Sequence, residues 1–106
     1  MFIVNGTQWD LQFVSPNSNM LKRSDGSITL GVTDNSLKTI FINKNLYGEK
    51  LKKVVCHELT HVFAFEYNYS VDLKTEEIIA DFMSLFGRDI IYLADDIMNN
   101  LIRRIA

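Results

Sequence analysis

At about Gly48 the spacing of apolar residues changes from alternation to a helical period, and that switch limits the chain to a strand-rich half followed by a helical half. Before it, four short runs rich in β-branched and aromatic residues predict strands: Phe2 to Val4, Trp9 to Val14, Ile28 to Val32 and Thr39 to Asn43. Asn5-Gly6 and Asp25-Gly26 predict tight hairpin turns, since both dipeptides accept the positive φ that such turns need. Pro16, the only proline, lies in the polar stretch Ser15 to Asn19, which reads as an exposed loop. After the switch, Leu51, Val54, Val55, Leu59, Val62 and Phe63 recur on one helical face. A loop through Asn68 to Asp72 leads to a second helix, roughly Thr75 to Phe86, with Ile78, Ile79, Phe82 and Met83 as its apolar stripe. Gly87 is expected to end or kink it. A third helix, with Asp89 as a candidate N-cap, carries Ile90, Ile91, Leu93, Ala94, Ile97, Met98, Leu101 and Ile102. The aromatic residues Phe63, Phe65, Phe82 and Phe86 are expected in the core. The expected fold class is α+β, a small N-terminal antiparallel or mixed sheet followed by three helices.

A chain of 106 residues, 47% of them hydrophobic, can bury one core and not two, so residues 1–106 are expected to form a single minimal domain. The net charge is −2 and the basic residues are scattered, which disfavours nucleic acid as a partner. No apolar run approaches membrane-spanning length, and the N-terminus lacks a basic start followed by a signal-length apolar stretch. The lone cysteine, Cys56, has no internal disulfide partner and reads as a small buried group. These features predict a cytoplasmic protein with no membrane partner.

The helix after Gly48 contains the only two histidines, in Cys56-His57-Glu58-Leu59-Thr60-His61. This is H-E-x-x-H, and helical geometry puts the two imidazoles one turn apart on one face, where both can reach a single metal ion. Glu58, beside the first histidine, is placed to accept a proton from an attacking water and is the expected general base. A catalytic zinc centre has three protein ligands and one open position, so a third ligand is needed. On the second helix Glu77, Ala80, Asp81 and Ser84 share a face distinct from the apolar stripe, and its small residues would let the two helices approach closely. Glu77 is the candidate third ligand. Asp81, one turn on, is the candidate hydrogen-bond partner of a ligand histidine's other nitrogen. The plainer readings are a first-turn acid for Glu77 and a solvated carboxylate for Asp81. Glu76 falls off this face and is expected in solvent.

His57-Glu58-x-x-His61 followed by Glu77-x-x-Ala80-Asp81 resembles the gluzincin metallopeptidases. The short spacing and small size resemble the minigluzincins and the phage or mobile-element peptidases of the ImmA/IrrE type, over roughly Ile28 to Phe86. The resemblance implies a zincin-like layout with the H-E-x-x-H helix as active-site helix, one Zn2+ per chain, and zinc-dependent endopeptidase activity on a peptide or protein substrate. It also implies that the strand Thr39 to Asn43 is the active-site edge strand along which substrate pairs. The chain departs from the larger gluzincins in having no third histidine, so Tyr67, Tyr69, Tyr92, an arginine or the metal alone would have to stabilise an oxyanion. The alternative expectation is a catalytically weak or latent metal-binding regulatory or interaction protein of a phage-like element. The third helix is more apolar than a short surface helix needs. It caps the core, pairs with a copy of itself or another protein, or folds over the cleft; the sequence leaves these open.

Overall fold

The computed structural model describes residues 1–105, with side chains through Leu101. Four strands, β1 (Phe2–Val4), β2 (Thr7–Val14), β3 (Gly31–Asp34) and β4 (Thr39–Asn43), form one mixed sheet in the order β1-β2-β4-β3. Asn5 and Gly6, at φ 47° and 80°, make the two-residue β1–β2 turn, as their dipeptide predicts. β2 and β4 run parallel, with Leu11 opposite Ile40, whereas β3 and β4 are antiparallel, with Thr33 opposite Ile40.

The third strand begins three residues later than its β-rich run suggests. Ile28 makes only an isolated bridge to Lys22 around the Asp25-Gly26 turn. The strand expected at the active-site edge is instead interior: β4 is paired on both sides, and its consecutive residues Ile40, Phe41 and Ile42 are all buried. An unbroken apolar run marks a strand covered on both faces, which is why β4 lies inside and β3 takes the edge.

Helix α1 (Gly48–Glu66) lies across one face of the sheet. Val4, Trp9, Ile40, Ile42 and Val62 form the core, with Leu51, Val54, Val55 and Leu59 packed against it. Full burial of side chains such as Trp9 and Val62 stabilises the fold by about 1.5–3 kcal/mol each, enough to fix the rotation of α1 over the sheet. On the other face, a 3-10 turn at Asn19–Leu21 buries Leu21 and lies against β3 and β4.

Helix α2 (Leu73–Phe82) starts where Asp72 caps it, its carboxylate accepting from the Thr75 backbone N–H at 2.8 Å. Two helical bodies follow the sheet, in place of the three helices and zincin-like layout expected. α2 runs through a π-helical turn, Met83–Gly87, directly into α3 (Arg88–Ile105) without a break. A glycine stops a helix by turning left-handed, and Gly87 does not: it is buried against the Met83 side chain, which a Cβ would meet at 2.6 Å. Asp89 consequently sits inside a helix and caps nothing. Cys56 is partly buried, and its thiol donates to the Met83 carbonyl at 3.3 Å, bonding α1 to the π turn. Beyond an Arg88–Glu49 ion pair of 2.9 Å, α3 leaves the body. Its residues Ile90, Leu93, Ile97 and Leu101 are exposed, and Ile102 lies outside the described side chains. Phe63, Phe65, Phe82 and Phe86 are likewise exposed, as is Ile78 at 61%, so these apolar side chains are not core. No helix among the described residues is long and apolar enough to cross a membrane.

Gly31 lets β3 press onto α1. A Cβ there would stand 2.9 Å from Val54 Cγ1, 3.1 Å from Glu58 Cγ and 3.2 Å from Ile42 Cδ1. Gly31→Ala is therefore expected to destabilise the protein by about 1–3 kcal/mol through overpacking. Urea unfolding measures this, and an unchanged midpoint would contradict the close contact.

Candidate metal centre

The stripe of α1 that faces the sheet includes Glu58, while His57 and His61 emerge on the adjacent flank toward α2. Their rings lie 5.1 Å apart between centroids, as an i, i+4 pair requires. The capped start of α2 brings Glu77 to both: Oε1 is 2.6 Å from His61 Nε2 and Oε2 is 3.6 Å from His57 Nε2. Ligand atoms of His57, His61 and Glu77 all lie within 4.8 Å of one another, and this group could hold a metal ion.

Carboxylates lie near the outer nitrogens as well. Asp81 Oδ1 is 3.1 Å from His57 Nδ1, with its own side chain exposed. Glu76, expected in solvent, instead sits 2.6 Å from His61 Nδ1 with its side chain only 13% exposed. Consecutive carboxylates thus hold the two ends of one imidazole. Two imidazoles and a carboxylate are donor groups that suit a metal ion, and the His61 ring is oriented by a further carboxylate, Glu76. The residues present fit such an ion.

Glu58 borders this group, with Oε2 4.0 Å from His57 Nε2. It is 7% exposed, and Thr33 Oγ1 on β3 donates to its Oε1 at 2.9 Å. Burial pushes its carboxyl above the ordinary 4.5, outweighing the hydrogen bond from Thr33 and the nearby histidines, which act the other way. Thr33 is a further residue of the site that sequence reasoning missed, one position beyond the expected strand end.

The raised value has a consequence for metal-free protein. Unfolded chains lose the Glu58 proton near 4.5, before folded ones do, so its stabilising contribution is complete below 4.5 and disappears as pH rises through the folded value. The stability of wild type relative to Glu58→Gln, from urea unfolding of metal-free protein over a pH series, should therefore fall as pH rises above 4.5. A difference that is flat or rises with pH would contradict the burial of this carboxyl.

A cleft of about 330 Å³ opens over the centre, between β3 and the start of α2, lined by His57, Glu58, His61, Glu77, Thr33 and Arg23 among others. A second hollow, about 190 Å³, adjoins it at His57 and Glu58. Of the tyrosines proposed for oxyanion stabilisation, Tyr67 and Tyr69 line a separate apolar cavity of about 320 Å³ and Tyr92 is exposed on α3. No protein-family model matches the sequence, and no match to the chain is found among curated proteins or solved structures.

Proposed function

We propose that this chain is a zinc-dependent endopeptidase of the gluzincin type. One observation carries the reading: Glu77 reaches the Nε2 of both histidines, Glu76 holds His61 at Nδ1, and ligand atoms of His57, His61 and Glu77 all lie within 4.8 Å of one another. The nitrogen and oxygen donors suit zinc. When bound, the ion would acidify a water and polarise a peptide carbonyl. The residues do the rest. Glu58, held by Thr33, accepts the water's proton as the oxygen attacks the carbonyl carbon, and returns it to the amine nitrogen as the C–N bond breaks. Glu76, bonded at His61 Nδ1, orients that imidazole with Nε2 toward Glu77, and Asp81 lies close enough to His57 Nδ1 to do the same for the other ring. β3 is paired only with β4 among the described residues, so its outer edge is open beside the cleft, where an extended peptide would add as a further strand.

The test is cleavage of a denatured protein by zinc-loaded chain. Hydrolysis that stops on chelation with 1,10-phenanthroline and returns with zinc is the expected result. The exposed apolar face of α3 favours a second reading, a metal-binding regulatory or interaction protein with latent activity. Zinc bound without cleavage of any denatured protein or peptide library would select it.

A further inference from the structure

We propose that Arg23 is a catalytic residue, the cation that meets the negative charge developing on the substrate carbonyl oxygen. The inference rests on the peptidase reading above and supplies what that reading lacks. When the water oxygen bonds to the carbonyl carbon, the C=O π pair moves onto oxygen, and a donor already aimed there lowers the barrier. No third histidine exists in the chain, and neither Tyr67, Tyr69 nor Tyr92 lines the cleft. Arg23 does. Among the described residues it is the only arginine or lysine lining the cleft over His57, His61 and Glu77, and it also lines the adjoining hollow, with His57 and Glu58 common to both. It belongs to the segment before β3, whereas Glu76 and Glu77 of the same cleft belong to α2.

The local structure holds Arg23 for this use. Its N–H donates to the Ser27 carbonyl at 2.8 Å and its carbonyl accepts from Gly26 N–H at 3.0 Å, so both ends of the residue are fixed by the Asp25-Gly26 turn. The nearest acid in sequence, Asp25, is engaged by Ser27, accepting from its N–H at 2.9 Å and its hydroxyl at 2.6 Å. None of the ion pairs among the described residues uses Arg23, whereas Lys38, Lys52 and Arg88 are each paired with a glutamate. A guanidinium that lines a cleft with Glu58, Glu76 and Glu77 and is ion-paired to none of them is thus left to a ligand's negative charge. Lys53 lines only the adjoining hollow and serves as a charge control.

The experiment titrates zinc-loaded protein calorimetrically with two small metal-binding anions: methylphosphonate, tetrahedral with spare oxyanion oxygens, and acetohydroxamate, planar. In Arg23→Gln, methylphosphonate should bind on the order of 10–100-fold more weakly and acetohydroxamate within about threefold of wild type, with zinc content unchanged. Arg23→Lys should recover part of the loss, and Lys53→Gln should bind both anions as wild type does. On a cleaved peptide, Arg23→Gln should lower kcat by roughly a hundredfold with KM nearly constant. Equal methylphosphonate affinity in wild type and Arg23→Gln, or a change confined to KM, would overturn the proposal while leaving the metal site standing. Failure of both anions to bind zinc-loaded wild type would overturn the open metal site, and the role of Arg23 with it.

Discussion

Glu58→Gln is expected to bind zinc as wild type does and to lose hydrolysis by about 10²–10⁴-fold, the range general acid–base catalysis contributes. The amide keeps the shape of the side chain and can still accept from Thr33 Oγ1, so the anchor to β3 survives. What it cannot do is take a proton from water. Because burial already disfavours the charged carboxyl, the neutral amide suits this pocket, and the metal-free variant should be at least as stable as wild type at neutral pH. The measurement is turnover on a denatured protein beside zinc content of the same preparation. Retained hydrolysis would remove Glu58 from the mechanism.

His61→Ala is expected to have the larger effect on the site as a whole. It deletes one of the three converging donors, which should weaken metal binding by on the order of a hundredfold or more. It also strands Glu76, whose side chain is 13% exposed and whose 2.6 Å partner is the His61 ring. A mostly buried carboxylate left without its partner costs about 1–3 kcal/mol. Loss of metal and loss of stability should therefore appear together in this variant, whereas Glu58→Gln should show neither.

Much of this site was legible because a helix repeats. The i, i+4 spacing of His57 and His61 and the i, i+4 spacing of Glu77 and Asp81 each place two side chains on one face, and the capped start of α2 lets those faces meet. Glu76 was not legible, because the wheel assigns neighbours 100° apart to different faces. The His61 ring projects between the two, so both reach it. Thr33 was hidden for another reason: its partner is 25 residues away, and local pattern does not encode which strand lies beneath a helix.

In the fold, the period switch at Gly48 and the Asn5-Gly6 turn carried their elements reliably. Gly87 does not end the helix, since the residue type that ends one with positive φ also fits a tightly packed π turn. The place of β4 was written in its own residues: Ile40, Phe41 and Ile42 leave no polar face for an edge beside solvent. The stripes of α2 and α3 say which residues are apolar but not what covers them, which is why Phe82 and Phe86 are exposed where a core was expected.

The central claim is that His57, His61 and Glu77 hold one metal ion, and native mass spectrometry of protein purified without added metal tests it most directly, with wild type and His61→Ala run in parallel. One zinc per wild-type chain and none on the variant is the predicted result; wild type that carries no metal even after zinc is supplied, or a variant that holds it equally well, would contradict the site.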